Sequence, residues 1–152
     1  MKKLSSVEEI LNFAIKREIE ANKFYTELAE RMDRSEMRKV FEDFAKEELG
    51  HKAKLEAVKQ HQFITSSEQK QVPSLGIADY VVDVEPKPDM SYADVLVVAM
   101  KKEKAAYRLY LDLAAAAETE ELTNLFLSLA NEEAKHKLRF EIEYDDVVLK
   151  ED

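Results

Sequence analysis

Phe41-Glu42-Asp43-Phe44-Ala45-Lys46-Glu47-Glu48-Leu49-Gly50-His51 is the stretch from which the fold can be read, because its pattern occurs twice. An offset of 85 residues carries Phe41 to Phe126, Glu47 to Glu132, Glu48 to Glu133 and His51 to His136. In both copies a histidine follows the second glutamate by three residues, which puts the two side chains on one side of a helix. The same offset takes Leu11, Ala14, Glu18, Ala21, Tyr25 and Leu28 to Leu96, Ala99, Glu103, Ala106, Tyr110 and Leu113. One shift that aligns two pairs of segments points to a duplicated helical hairpin with pseudo-two-fold symmetry.

The apolar period predicts four helices, over about 6–32, 35–62, 91–117 and 119–148, in a single domain spanning 1–152. Ser6 with Glu9 has capping-box spacing, and Ser91 with Asp94 opens the third helix. The short link Asp33-Arg34-Ser35 implies antiparallel neighbours. Between about 63 and 90 the pattern fails, and Pro73, Gly76, Pro86 and Pro88 punctuate the stretch. Apolar patches there, such as Tyr80-Val81-Val82, predict a crossover ordered against the helices. Short link, long crossover, short link is a known connectivity of four-helix bundles, so the expected fold is all-α, a four-helix bundle of two hairpins.

Each helix has a seam with alternating three- and four-residue steps. The first carries Leu11, Ala14, Glu18, Ala21, Tyr25, Leu28 and Met32, and the second Met37, Phe41, Phe44, Glu48, His51, Leu55 and Val58. The third carries Leu96, Ala99, Glu103, Ala106, Tyr110 and Leu113, and the fourth Leu122, Phe126, Leu129, Glu133, His136 and Phe140. Six ionisable residues therefore occupy places where the pattern calls for an apolar side chain.

Composition narrows the chemistry. The chain has 152 residues, two glycines, three prolines and a formal charge of −9. Such an acidic chain is a poor partner for nucleic acid or an anionic membrane surface. The absence of cysteine removes disulfides, thiolate nucleophiles, iron–sulfur clusters and cysteine-ligated zinc. No apolar run reaches the roughly 20 residues of a membrane span, and the first residues lack the apolar core of a signal peptide. A cytoplasmic location is expected.

A carboxylate moved into an apolar interior costs several kcal/mol unless it is paired or coordinated. Four converging carboxylates also repel one another, and no lysine or arginine lies on the seams to offset them. Two divalent cations would balance Glu18, Glu48, Glu103 and Glu133. One Glu-x-x-His pair from each of two helices, with a single glutamate from each of the other two, is the ligand set of di-iron and di-manganese bundles. Carboxylate and imidazole donors suit iron or manganese. By position, Glu48 and Glu133 would bridge the ions, Glu18 and Glu103 would be terminal ligands, and His51 and His136 would each cap one metal.

Other polar residues have blander readings beside the functional ones. His61 lies off the seam and reads as a solvated helix end, and Lys101, Lys102 and Lys104 as a solvated face. Glu47 and Glu132 read either as acceptors behind the ligands or as exposed flanks. Tyr25 and Tyr110, two turns beyond Glu18 and Glu103, are either core packing or hydrogen-bond donors to a ligand carboxylate. Gly50 either allows a local bulge or has no structural role.

The motifs Glu18-x-x-Ala21-x-x-x-Tyr25, Glu47-Glu48-x-x-His51, Glu103-x-x-Ala106-x-x-x-Tyr110 and Glu132-Glu133-x-x-His136 make the chain resemble the rubrerythrin branch of the ferritin-like superfamily. The resemblance implies a di-iron site that reduces peroxide, or in relatives oxidises ferrous iron with dioxygen or peroxide. It also implies an external electron-donor protein, because rubrerythrins typically carry a cysteine-ligated rubredoxin domain and this chain has no cysteine. Rubrerythrins typically have a further glutamate where Ala106 stands, one that takes part in the redox-linked ligand exchange of their peroxidase. Bacterioferritins share much of the pattern but bind haem through a methionine where Leu49 stands, so no haem is expected.

The leading expectation is thus a non-haem di-iron redox protein, of peroxidase or ferroxidase type, without a rubredoxin domain. Manganese in place of iron stays open. Iron sequestration without sustained turnover is the alternative, and a helical interaction module with a vestigial site is a third reading. A homodimer is the expected assembly.

Overall fold

The structure, a computed structural model, describes residues 6–33, 35–60, 80–82, 87 and 90–151. Nearly all of them lie in four helices: α1 (Val7–Arg31), α2 (Ser35–Gln60), α3 (Tyr92–Ala116) and α4 (Glu120–Glu151). No β-strand occurs among the described residues. His61, any extension of α2 to residue 62, and Pro73, Gly76, Pro86 and Pro88 of the crossover lie outside them.

Helix starts follow local chemistry. The first amides of a helix have no intrahelical acceptor, so a side chain must supply one. Ser6 Oγ accepts from the Glu9 amide at 3.1 Å while Glu9 Oε1 accepts from the Ser6 amide at 3.2 Å, completing the expected capping box. Ser91 Oγ accepts from the Asp94 amide at 3.1 Å, and Thr119 Oγ1 accepts from the Leu122 amide at 3.2 Å. The end of α4 departs from expectation. The helix is expected to end near Val148, but the backbone stays helical to Glu151 although Leu149 is exposed.

The chain divides into two compact units, Met1–Ile77 with α1 and α2, and Ala78–Asp152 with α3 and α4. Each unit is a hairpin of two helices packed on each other. In the first, the pairs Asn12–Lys59, Arg17–Glu48, Asn22–Ala45 and Met32–Arg38 run in opposite sequence directions, which makes the helices antiparallel. In the second, Tyr92–Glu143, Glu103–His136 and Ala114–Thr123 do the same.

The buried faces follow the seams closely. Leu11, Ala14, Leu28, Met37, Phe41, Leu55 and Val58 are buried in the first hairpin, and every seam residue of α3 and α4 is buried in the second. Three seam positions are only half-buried, Ala21, Met32 and Phe44, and on α2 the neighbouring Ala45 is buried in place of Phe44. The small Ala45 faces α1, where its carbonyl accepts from Asn22 Nδ2 at 2.8 Å. Phe44, displaced to the flank, meets the edge of the Tyr25 ring at a centroid distance of 6.0 Å. Of the crossover, Tyr80 is buried and donates its hydroxyl to Asp112 Oδ2 of α3 at 2.6 Å, whereas Val81 is exposed. Among the described residues no helix is long and apolar enough to cross a membrane.

Candidate metal centre

In the first hairpin, α1 contributes Glu18, and α2 contributes Glu48 and His51 from successive turns. All three side chains are essentially inaccessible to solvent. His51 Nδ1 lies 3.2 Å from Glu48 Oε1 and 3.5 Å from Glu18 Oε2. The second hairpin repeats this arrangement from α3 and α4: His136 Nδ1 lies 3.4 Å from Glu133 Oε1 and 3.7 Å from Glu103 Oε2. Within each triad, one donor atom from every residue lies within 4.8 Å of the others.

These six residues are the ones that the sequence singles out, and each hairpin brings its three together. The atoms turned inward, Glu18 Oε2, Glu48 Oε1, His51 Nδ1, Glu103 Oε2, Glu133 Oε1 and His136 Nδ1, are buried and engage in no hydrogen bond. Donors about 2.1 Å from a common cation and at right angles around it lie about 3 Å apart. The observed 3.2–3.7 Å separations are close to that spacing, so the triads fit a metal ion. Carboxylate oxygen with one imidazole nitrogen per triad is a donor set suited to iron or manganese.

Arg17 is the residue that reasoning from the seams misses. Its Nη1 donates to Glu18 Oε1 at 2.9 Å and to Glu48 Oε2 at 3.0 Å. No lysine or arginine lies on the seams, but in the first hairpin this residue beside the seam supplies a positive charge to the buried carboxylates. Arg17 sits beside the seam, and its long stem lets the guanidinium reach round the helix to the buried acids while staying 15% exposed. The signal was present as an arginine adjacent to a seam glutamate, but a one-residue step is not a shared helix face.

Glu143 was missed for a simpler reason. It lies two turns beyond His136 and extends the α4 seam past Phe140; it is 3% exposed and accepts from the Tyr92 hydroxyl at 2.9 Å. At the repeat offset the first hairpin has Val58 and Val7, so this pair belongs to the second hairpin alone.

Tyr25 and Tyr110 are fully buried, and the Tyr25 ring packs against Phe24 and Phe44. Ala106 is buried on α3. Leu49 and Glu47 are exposed, and Glu132 is half-buried. Gly50 sits in unbroken α-helix on the exposed side, so no bulge forms there.

The fold has relatives among solved structures. A Thermotoga maritima protein described as a ferritin-like diiron-carboxylate protein matches with a TM-score of 0.84 and 21% identity, over 97% of this chain and 99% of that one. A hypothetical protein from Pyrococcus furiosus matches with a TM-score of 0.70 and 28% identity, over 92% of this chain and 89% of that one. These likenesses show an all-α, ferritin-like four-helix-bundle fold. No curated protein matches. The rubrerythrin family model matches residues 9–86 and 94–152, well over half of the sequence, and the chain thus belongs to the rubrerythrin family.

Proposed function

We propose that the chain is a non-haem di-iron redox protein that takes one metal ion at each triad and reacts with peroxide or dioxygen. The observation that carries this reading is the pair of matched triads, each directing two carboxylate oxygens and an imidazole nitrogen into a buried space. Glu18, Glu48 and His51 would hold one ion, and Glu103, Glu133 and His136 the other. Iron supplies the electrons for reduction of the oxidant. The protein would supply buried carboxylates and imidazoles, and the negative charge of the carboxylates favours cations.

Family membership supports iron at such a site, and the acid-rich donor set supports a dication over a neutral ligand. These 152 residues contain no cysteine to carry a rubredoxin centre, so repeated turnover would draw electrons from a reductant outside them. Ala106 favours a second reading. A buried methyl stands where typical rubrerythrins have a further carboxylate, so a single oxidation followed by iron retention is the alternative to sustained peroxidase turnover.

The test is anaerobic loading of metal-free protein with ferrous iron, followed by peroxide or air. Uptake of about two irons per chain and a new near-ultraviolet absorption on oxidation are expected. Uptake of none, or no spectral change, refutes the reading. Continued peroxide consumption with an added reductant, against one burst per loaded chain, separates turnover from sequestration.

A further inference from the structure

We infer that Arg17 is a built-in counter-charge that positions the carboxylates of the Glu18–Glu48–His51 triad and lowers its affinity for metal. The inference rests on the proposal that this triad takes a cation, but it comes from a separate observation. A single guanidinium nitrogen donates to two fully buried carboxylates on different helices, at 2.9 Å to Glu18 and 3.0 Å to Glu48.

The two bonds divide the four carboxylate oxygens into two sets. Glu18 Oε1 and Glu48 Oε2 face Arg17, and Glu18 Oε2 and Glu48 Oε1 face His51 Nδ1. Arg17 therefore decides which oxygen each glutamate offers. A guanidinium keeps its proton throughout the accessible pH range, so this charge is constant. With it, the triad carries one net negative charge in place of two.

Two consequences follow from Coulomb's law. Two adjacent buried carboxylates with no cation nearby would repel each other and destabilise the hairpin, so Arg17 keeps the triad assembled before a metal arrives. An entering dication then meets a positive charge already in place, and binds less tightly than the three ligands alone would allow. At the repeat offset the residue is Lys102, whose ammonium is a point charge rather than a planar fork. The two halves thus differ chemically at this position.

The test uses the full-length, metal-stripped protein titrated with Co2+, followed by visible absorption and by thermal unfolding. Wild type is compared with Arg17→Met, which keeps the apolar stem, and Arg17→Lys, which keeps the charge. For Arg17→Met we expect metal-free unfolding at least about 2 °C lower, and roughly tenfold tighter binding of one Co2+ equivalent. The Co2+-induced rise in melting temperature grows accordingly, because the loaded protein loses less than the metal-free one. Arg17→Lys stays close to wild type. A residue that merely packs would lower both forms equally and leave affinity unchanged. Unchanged or weakened Co2+ binding in Arg17→Met therefore overturns the inference while the metal centre stands. No Co2+ uptake by wild type overturns both.

Discussion

Tyr92, in the first turn of α3, donates its hydroxyl to the buried Glu143 of α4 across 51 residues of sequence, at 2.9 Å. The pair ties the start of one helix to the last third of the other. It also marks a point where the duplicated hairpins have diverged, since Val7 and Val58 take these places in the first. Removing one donor from a buried carboxylate costs about 1–3 kcal/mol. Tyr92→Phe is therefore expected to lower the stability by about that amount in urea unfolding. Replacing both residues with valine, as the first hairpin has them, should recover most of the loss. A double variant as unstable as the sum of the single ones would show that the two do not act as a pair.

The buried carboxylates of the two triads should conflict with stability when no metal is present. Replacing a buried ion pair or triad as a whole with apolar side chains of similar size is often neutral, or stabilising by about 1–4 kcal/mol. The triple variant Glu103→Leu/Glu133→Leu/His136→Leu is thus expected to unfold at the same temperature as wild type, or higher, without metal. Its stabilisation by added ferrous iron under anaerobic conditions should be clearly smaller. Calorimetry with and without iron measures both quantities.

His136→Ala removes the imidazole of the second triad and leaves Glu103 and Glu133 in place. Loss of one of about three protein donors should weaken metal binding at that triad by at least about tenfold, comparable to or larger than the loss of an outer-shell partner. Metal analysis after gel filtration should then give close to one iron per chain where wild type retains two. His51→Ala should do the same for the first triad.

Gly50 offers a stabilising substitution next to His51 of the first triad. A Cβ added there meets nothing within 4 Å, and the backbone is ordinary α-helix. Alanine in a helix interior is favoured over glycine by about 1 kcal/mol, or about 2–4 °C for a chain of this size. Gly50→Ala should raise the melting temperature by that amount without changing iron content, although His51 is its neighbour.

Much of the architecture is legible from spacing. The seam register places Glu18, Glu48, His51, Glu103, Glu133 and His136 on buried faces, and all six are buried there. The capping residues Ser6 and Ser91 are readable because capping is local, decided within four residues. Phe44 was the wrong choice on α2, since a residue one step away differs by only about 100° around the helix. At such a boundary, the closeness of the facing helix decides between a phenyl ring and a methyl group. The small Ala45 won where Asn22 reaches its carbonyl.

What the sequence determined by itself was periodicity and repetition: four helices, a duplicated hairpin, and two sets of three buried ionisable residues in matching registers. These follow from helical phase, a property of the covalent chain. Only the tertiary structure decided where long side chains reach. Arg17 is out of phase with the acids that it binds, and Tyr92 meets Glu143 through packing of distant segments. Phase gives the direction in which a side chain leaves its helix, while its final contacts depend on which neighbouring surface lies within reach.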